Sequence, residues 1–447
     1  MITFTHLHKI FLLCLACLAT FIFSFAQASF SAALEQQPTG PNGVHRCSSV
    51  EVDAIRRMNN PNLPSIETFE NWLAPKVADY KDKLADGSAE EKNLVLQIPV
   101  VVHVLHNGEP IGTAPNITDA QVLSQIQVLN EDFRRILGSR GYNENPVGAD
   151  MEVEFVMALT APDGSGTNGI VRRNINQDGV TVDDLESTIK PATIWEPTEY
   201  MNMWSVKFVA PDDNTLGYAQ FPEGSGLAGL PASGEEALTD GVVMRYQSFG
   251  TSDLDDGTFI LDAPYDLGRT ATHEVGHWIG LRHIWGDGLG CNLGLPIPGC
   301  SCAEDDFCDD TPNSDNANYG CPDDKTSACD LPNPPTADMV ENYMDYSDDS
   351  CMNVFTEDQK ARAQTVMSFS PRRMELPNSP ALLPPQAYVA FSTSNSSVVE
   401  GSSCDTRQVQ IPLEISQVPS GTVTVTIGVD FTTAAADDFE LLTSEIN

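Results

Sequence analysis

The stretch from His273 to His283 reads H-E-V-G-H-W-I-G-L-R-H, and the rest of the chain is organised around it. On a helix, His273 and His277 lie four residues apart on one face, so their imidazole nitrogens can bind one metal ion. Gly280 can adopt the left-handed conformation that ends a helix, which lets His283 return to the same ion. Three neutral imidazoles leave one tetrahedral position open for water, and this pattern predicts a catalytic zinc site.

The residue after the first histidine gives this site its chemistry. Glu274 would lie beside the metal, where a carboxylate can take a proton from the attacking water as a general base. The alternative is an amphipathic helix whose histidines occur by chance. A third histidine and a glycine at the required offsets argue against chance, and the stretch favours a metal-dependent hydrolase.

This longer motif resembles that of the metzincin clan of zinc proteases, in which a methionine-bearing turn lies beneath the metal. Residues 342–346 read N-Y-M-D-Y and fit that turn. Met344 would form a soft, adaptable floor under the imidazoles, and Tyr346 could bring its hydroxyl near the zinc. Taken without the upstream motif, the same run could be ordinary packing.

Composition limits the partners of the chain. It has 447 residues, enough for two to three domains with a packed core, and a formal net charge of -39. An excess of 63 acidic over 24 basic residues repels nucleic acid and anionic membranes. Most of this negative charge is explained by a need for solubility, for example in a salty medium. As binding partners, an acidic surface favours cations and cationic peptides.

The first 28 residues have the pattern of a secretory signal. Lys9 precedes an apolar run from Ile10 to Phe25, and the small residues of the Ala26-Gln27-Ala28 segment follow. The run is short for a membrane span. We therefore expect a signal peptide over residues 1–28, a secreted protein and no membrane anchor.

Cysteine usage agrees with export. Nine cysteines follow the signal, seven of them between Cys291 and Cys351. An oxidising compartment favours disulfides there. A second, structural zinc is the alternative, because Cys300, Cys302 and Cys308 lie close together. Nine is an odd number, so one thiol is left over or pairs outside the chain.

Residues 29–93 are mixed and charged, with one helix predicted at about 66–80, and we interpret them as a propeptide. Their notable residue is Cys47. A thiolate is a good zinc ligand, so this cysteine could displace the water and keep the enzyme inactive. A disulfide near the N-terminus is the alternative.

An α+β catalytic domain is predicted over residues 94–375. Residues 94–105 form a nearly continuous apolar run typical of a buried strand, and Thr118–Gln121 is a capping box before a long amphipathic helix. His103 and His106 are interpreted as polar residues at the strand edge, not as ligands. Further strands are predicted at 152–159, 203–209 and 242–246, with an edge strand at 216–222 that could pair with a peptide substrate.

The chain after His283 is irregular. Oxygen-bearing side chains between Asp305 and Thr311 could hold calcium, although a solvated acidic loop is the alternative. A capping box at Thr356–Gln359 opens a helix that closes the domain. Residues 376–387 are predicted to be a proline-rich linker, and residues 388–447 alternate like strands of a partial all-β sandwich.

Several of these motifs together resemble the pappalysin family of metzincins. The resemblance rests on residues 268–287, 309–312, 320–322 and 342–355, and it spans roughly residues 94–369. It implies a metzincin-like mixed sheet with long helices, a zinc helix and an irregular C-terminal subdomain. It also implies a secreted zinc endopeptidase that acts on proteins or peptides and loses a proregion before activity.

The resemblance also implies roles for individual residues. It makes His273, His277 and His283 the zinc ligands, Glu274 the general base and Tyr346 the tyrosine after the methionine turn. It further implies a calcium site at Asp306, the Asp309 carbonyl and Thr311. It implies two disulfides, which join Cys302 with Cys329 and Cys321 with Cys351. It also implies that Cys47 is an inhibitory propeptide thiol, although Ser48 replaces the glycine that often follows such a thiol. The tail resembles a calx-beta domain.

Two further hypotheses concern function. Asp345, Asp348 and Asp349 could line the pocket for the residue after the cleaved bond, which predicts a preference for Lys or Arg there. The alternative to a protease is a secreted adhesion or binding protein with a non-catalytic zinc fold. An intact Glu274 argues against it, because a pure binding module needs no base beside the metal.

Overall fold

The computed structural model describes residues 40, 43–60, 62–86, 95–222, 235–287, 306–327 and 337–385, together with four short strands beyond them. Two of the described helices precede the sheet, α1 (Ser49–Asn59) and α2 (Ile66–Ala85). The sequence predicted the second, which begins where Ser65 accepts a hydrogen bond from the Thr68 amide. It did not predict α1, which has no side-chain cap and buries mostly polar residues.

A six-stranded sheet forms the centre of the described chain. Its strands are β1 (Leu96–His106), β2 (Val153–Met157), β3 (Ile170–Asn174), β4 (Met201–Val206), β5 (Gly217–Ala219) and β6 (Val242–Arg245). Their order is β2-β1-β4-β6-β5, with β3 also paired to β1. All strands are parallel except β5, which runs antiparallel to β6. Strand β3 was not predicted, because its side chains are only partly buried and show no alternation.

Three of the described helices pack around this sheet and place the site. They are α3 (Asp119–Phe133), α4 (Arg269–Trp278) and α5 (Glu357–Phe369). Thr356 and Gln359 form the predicted capping box of α5. The main apolar core lies between one face of the sheet and these helices, and it contains Val275 and Trp278 of α4. The edge strand β5 therefore lies against the helix that carries the first two histidines.

His103 differs from its interpretation as a strand-edge residue. Strand β1 is central, so its side chain is fully buried, stacks on Trp204 with ring centroids 5.2 Å apart, and has Nε2 3.0 Å from Asn202 Oδ1. Burial lowers the pKa of His103 to about 4. It is a neutral core histidine and takes no part in the cluster of the zinc motif.

The proline-rich segment after α5 is not extended. Residues Leu376–Asn378 and Pro380–Leu382 form two 3₁₀ turns, and Leu376 and Ala381 are buried. The Ala381 carbonyl accepts a hydrogen bond from the Leu159 amide at 2.8 Å. The first half of the predicted linker thus packs against the sheet domain.

Two antiparallel strand pairs are described in the tail, Val389–Phe391 with Leu413–Ile415 and Val425–Thr426 with Glu445–Ile446. The remainder of the predicted sandwich and the predicted signal peptide lie outside the described residues. The sandwich therefore stays a prediction.

Candidate active site

A left-handed Gly268 precedes the helix α4, and one face of this helix carries both His273 and His277. The chain then turns at Gly280, whose φ of +98° is the left-handed conformation expected of it. A Cβ there would also lie 2.8 Å from Val366 Cγ2 on α5. After this turn His283 returns to the other two imidazoles, and all three are buried.

The three imidazoles converge on one point. Their Nε2 atoms lie 3.1, 3.1 and 3.2 Å apart. Nitrogens bound tetrahedrally to one zinc ion at about 2.05 Å would be separated by about 3.3 Å. The spacing of the ring nitrogens therefore fits a zinc ion.

Hydrogen bonds to the opposite ring nitrogens fix this orientation. Nδ1 of His273 donates to the Tyr343 carbonyl at 2.7 Å, and Nδ1 of His277 donates to the Leu281 carbonyl at 2.9 Å. Nδ1 of His283 donates to the Asp287 carboxylate at 2.8 Å. Each bond leaves a lone pair on Nε2, so three acceptors face one another without a proton between them. A metal cation bound by the three lone pairs would remove the repulsion between them. Burial lowers the pKa of His277 to about 3, which keeps its ring neutral and able to bind a metal.

Met344 lies close beneath α4, as the methionine turn predicts. A Cβ at Gly276 would come within 2.4 Å of Met344 Sδ, so only glycine allows the sulfur this approach. The Asn342 side chain accepts a hydrogen bond from the Met344 amide at 2.9 Å and holds the turn. Both Gly276 and the turn are thus needed to place the sulfur against the helix.

Tyr346 packs against the histidine cluster. Its ring lies 4.9 Å from that of His283 and 4.8 Å from that of Trp285, centroid to centroid. Trp285 in turn stacks on His283 at 4.4 Å. The Tyr346 hydroxyl donates to the Cys47 carbonyl at 3.3 Å, so it faces the segment that crosses the site.

Glu274 is fully buried beside the cluster. Burial raises the pKa of Glu274 to about 8, against the opposing effect of hydrogen bonds from Ser49 and Cys47. Its Oε2 accepts from Ser49 Oγ at 2.8 Å and from Cys47 Sγ at 3.3 Å. Its Oε1 has no hydrogen-bond partner in the part of the chain that the structure describes.

The segment around Cys47 lies across the site. Cys47 Sγ belongs to the same compact group of potential metal ligands as the three histidines, all within 4.8 Å of one another. The segment runs parallel to the chain leading into β5: the His45 amide donates to the Asn214 carbonyl, and the Ser48 amide donates to the Gly217 carbonyl, both at 3.0 Å. It therefore occupies the edge that was predicted to pair with a peptide.

Ser49 was not predicted as a site residue, although its hydroxyl lies between Glu274 and strand β5. Besides donating to Glu274, its hydroxyl accepts from the Ala219 amide of β5 at 2.8 Å. It thereby engages both the carboxylate and the strand edge. No motif in the sequence distinguished it from the other serines of the predicted propeptide.

Arg46 fills a buried pocket next to the site. Its Nη2 donates to Asp349 Oδ1 at 2.8 Å, and its guanidinium lies 4.7 Å from the centre of the Tyr265 ring. Of the three aspartates predicted to line the pocket for the residue after the cleaved bond, Asp349 contacts Arg46. Asp345 instead accepts hydrogen bonds from Asn318 and from the Tyr346 amide.

Two other predicted groups can be located. Cys321 and Cys351 form a disulfide, whereas Cys302 and Cys329 lie outside the described residues. The Thr311 hydroxyl lies 2.9 and 2.8 Å from the two Asp306 carboxylate oxygens and 2.7 Å from the Cys308 carbonyl oxygen. The Asp309 side chain points outward and is 95% exposed.

Comparison with known proteins identifies the family. The family model described as pregnancy-associated plasma protein-A (Peptidase_M43) matches residues 184–368. An extracellular metalloprotease of Verticillium alfalfae is 30% identical over 285 residues, which cover 63% of this chain and 82% of that protein. The chain belongs to the pappalysin family of metallopeptidases. A second extracellular metalloprotease, from Neurospora crassa, is 30% identical over 312 residues, 70% of this chain and 88% of that protein.

Solved structures agree on the fold. Mature mirolysin of Tannerella forsythia in complex with a cleaved peptide is 38% identical, with a TM-score of 0.51, and the match covers 63% of this chain and 95% of that one. A promirolysin mutant is 34% identical, with a TM-score of 0.54, and covers 74% of this chain and 97% of that one. The pappalysin described here is thus a metzincin-like zinc metalloendopeptidase, as predicted.

The predicted extracellular location is confirmed by these relatives. Among the described residues, no helix combines the length and the apolar composition needed to cross a membrane.

Proposed function

We propose that this pappalysin cleaves peptide bonds with Glu274 as general base and Tyr346 as the donor to the developing oxyanion. The observation that carries this proposal is the convergence of three buried Nε2 lone pairs beside Glu274, at the edge of β5. When bound by His273, His277 and His283, zinc supplies a Lewis acid that polarises the scissile carbonyl and activates water.

The residues of the chain do the rest. The Glu274 carboxylate lies next to the imidazole cluster, where it can accept a proton from the attacking water and return it to the leaving amine. The Tyr346 ring packs against His283, and its hydroxyl donates to the Cys47 carbonyl that lies across the site. Once this segment has left, the hydroxyl can donate to the oxygen that becomes negative. Once the Cys47 segment has left, the Ala219 amide of β5 is free to pair with a substrate carbonyl.

The test is cleavage of casein and of a peptide library by the activated enzyme, with and without a zinc chelator, beside Glu274→Gln. Gln has the size of Glu but cannot act as a base, so kcat should fall by at least about 100-fold while zinc content is kept. A zinc-loaded Glu274→Gln enzyme with near-native kcat would disprove the role of Glu274.

A basic residue after the cleaved bond is the proposed preference. Arg46 supports it, because the chain's own segment places a guanidinium against Asp349 and Tyr265 immediately beside the cluster. A charge-assisted hydrogen bond and a ring face together suit Arg or Lys. Cleavage-site profiling of a digested proteome should show Arg and Lys enriched at that position, and an unenriched profile refutes the preference.

The chain is proposed to be a zymogen, with a signal peptide at 1–28, a propeptide at 29–93 and a catalytic domain at 94–375. Cys47 supports latency, since its sulfur lies among the imidazoles and contacts Glu274. X-ray absorption at the zinc edge of the uncleaved protein should detect one sulfur ligand at about 2.3 Å.

Cys47→Ser should remove that sulfur signal and give the uncleaved chain measurable peptidase activity. Ser48→Ala is the matched control, because the Ser48 hydroxyl contacts Thr215 and not Glu274. A sulfur-free zinc spectrum for the wild-type zymogen would refute the thiol lock.

Calcium at Asp306, the Asp309 carbonyl and Thr311 remains a proposal. The clustered oxygens of Asp306, Thr311 and the Cys308 carbonyl support it. Added calcium should raise the melting temperature, and Asp306→Asn should abolish the rise while the exposed Asp324→Asn keeps it. The tail resembling a calx-beta domain is proposed to be an accessory to this catalytic unit.

A further inference from the structure

Asp345 lies immediately before Tyr346, and its carboxylate is fully buried. It accepts three short hydrogen bonds. The Tyr346 amide donates to Oδ1 at 2.7 Å, the Asn318 amide donates to Oδ1 at 2.8 Å, and Asn318 Nδ2 donates to Oδ2 at 2.9 Å. Two of the three donors therefore belong to one residue of a distant loop.

We propose that Asn318 is a positioning residue for catalysis, which sets the place of the Tyr346 hydroxyl through the Asp345 carboxylate. The proposal rests on the proposed role of Tyr346 and adds to it the group that holds this tyrosine. Asn318 touches neither the imidazole cluster nor Glu274 in any described contact, so its effect must pass through Asp345.

The geometry makes this transmission efficient. Asp345 Oδ1 is shared between the amides of Asn318 and Tyr346, so the carboxylate cannot rotate without breaking a bond to the tyrosine backbone. The other oxygen is held by the Asn318 side chain. Since a buried carboxylate must keep its donors, loss of one of them shifts the remaining contacts.

The loop that carries Asn318 is itself fastened to the chain after Tyr346. The Asp348 amide donates to the Gly320 carbonyl at 2.9 Å, and the Cys321–Cys351 disulfide joins the same two segments. Tyr319 follows Asn318 directly, and its ring lies 6.0 Å from that of Tyr346. The loop at 318–321 therefore forms one wall behind the tyrosine.

An error of about 1 Å in a catalytic group can cost about 100-fold in rate. We expect Asn318→Ala to lower kcat of the activated enzyme by about 10-fold, with KM and zinc content unchanged, since Tyr346 acts in the transition state. Asn316→Ala is the matched control, because Asn316 lies two residues earlier in the same loop and is exposed. It should leave kcat unchanged.

Exchange of the two polar side chains tests the direction of the hydrogen bond. Asn318→Asp sets two acceptors against each other, and Asp345→Asn sets two donors against each other, so each alone should lower kcat. The double variant Asn318→Asp with Asp345→Asn restores a donor opposite an acceptor and should recover part of the loss. Recovery is partial because Asn318 Nδ2 also donates to Asp338, at 3.2 Å.

The deciding experiment repeats Asn318→Ala in a Tyr346→Phe enzyme, which lacks the hydroxyl being positioned. Tyr346→Phe alone should lower kcat by about 100-fold, and Asn318→Ala should then add no further loss. A further 10-fold loss in that background would show a general structural effect and overturn the inference, as would native kcat for Asn318→Ala. Native kcat for Tyr346→Phe would instead overturn the proposed role of the tyrosine itself.

Discussion

Arg46 and Asp349 form a buried ion pair across 303 residues of sequence, with Nη2 and Oδ1 2.8 Å apart. Asp349 Oδ2 accepts from the Leu267 and Arg269 amides at 3.0 and 3.1 Å, so the carboxylate is held at the start of the zinc helix and offers one oxygen to the pocket. A substrate side chain that replaces Arg46 after activation would find the same oxygen. The chain thus carries a basic group in the position where its proposed substrates need one.

Asp349→Asn should weaken cleavage before Arg and Lys. The amide can still accept from the two backbone amides, but it presents no charge to the pocket. A hydrogen bond to a charged group is worth about 1.5 to 3 kcal/mol, so kcat/KM for such substrates should fall by about 10- to 150-fold.

The exposed Asp324→Asn serves as the control, because it removes a carboxylate that makes no described contact with Arg46. Matched peptides with Arg or Leu after the cleaved bond give the measurement. An unchanged ratio of their kcat/KM values in Asp349→Asn would contradict the role of this carboxylate.

Asp287 should tune the affinity for zinc through His283. It accepts from His283 Nδ1 at 2.8 Å, and its other oxygen accepts from Arg282 Nη1 at 3.0 Å. Loss of such a partner of a liganding histidine typically weakens metal binding by about 10- to 100-fold. Asp287→Ala should show this in competition with a chromogenic chelator, whereas the exposed Asp323→Ala should not. Equal zinc affinities for both variants would argue against this role.

Glu70 should stabilise the zymogen. Its carboxylate accepts from Arg362 at 2.7 and 2.6 Å and lies 3.4 Å from Arg282, and all three side chains are buried. Removing one partner of such a pair leaves uncompensated buried charge, which costs about 3 to 5 kcal/mol. Chemical denaturation of the uncleaved Glu70→Gln chain should show this loss. Glu67→Gln, on the exposed face of the same helix, is the control, and equal stabilities would refute the pairing.

The zinc motif could be predicted because its ligands and its turn lie within one short stretch. Helical spacing brings His273 and His277 together. Position 280 is glycine, the residue type best suited to the left-handed turn that brings His283 back to them. For such local arrangements, the separation of residues along the sequence determines the distance between their side chains. The methionine turn depends on longer-range packing. Met344 was identified from the motif at residues 342–346, whereas the need for glycine at position 276 was not predicted.

Contacts between distant segments could not be predicted in this way. Ser49 reaches Glu274 across 225 residues, and Glu70 reaches Arg362 across 292. Neither pair leaves a periodic signal, because each depends on how the N-terminal helices pack on the catalytic domain. The three aspartates after Met344 show the same limit: only the folded turn reveals that Asp345 points to Asn318 and Asp349 to Arg46.

His103 should make the native state sensitive to acid. Its pKa is lowered to about 4 in the folded protein by burial, against about 6.5 in the unfolded chain. The unfolded state therefore binds more protons between these values, and stability falls as the pH drops below about 6.5. At pH 5 this linkage amounts to about 2 kcal/mol. The loss should disappear in His103→Phe, which keeps the ring stacked on Trp204 but cannot be protonated. Chemical denaturation of both proteins at pH 7 and pH 5 gives the change in unfolding free energy for each. Any effect of zinc release at low pH is the same in both proteins, because both keep the same metal site. An equal loss of stability in the two proteins would show that other groups carry the acid sensitivity.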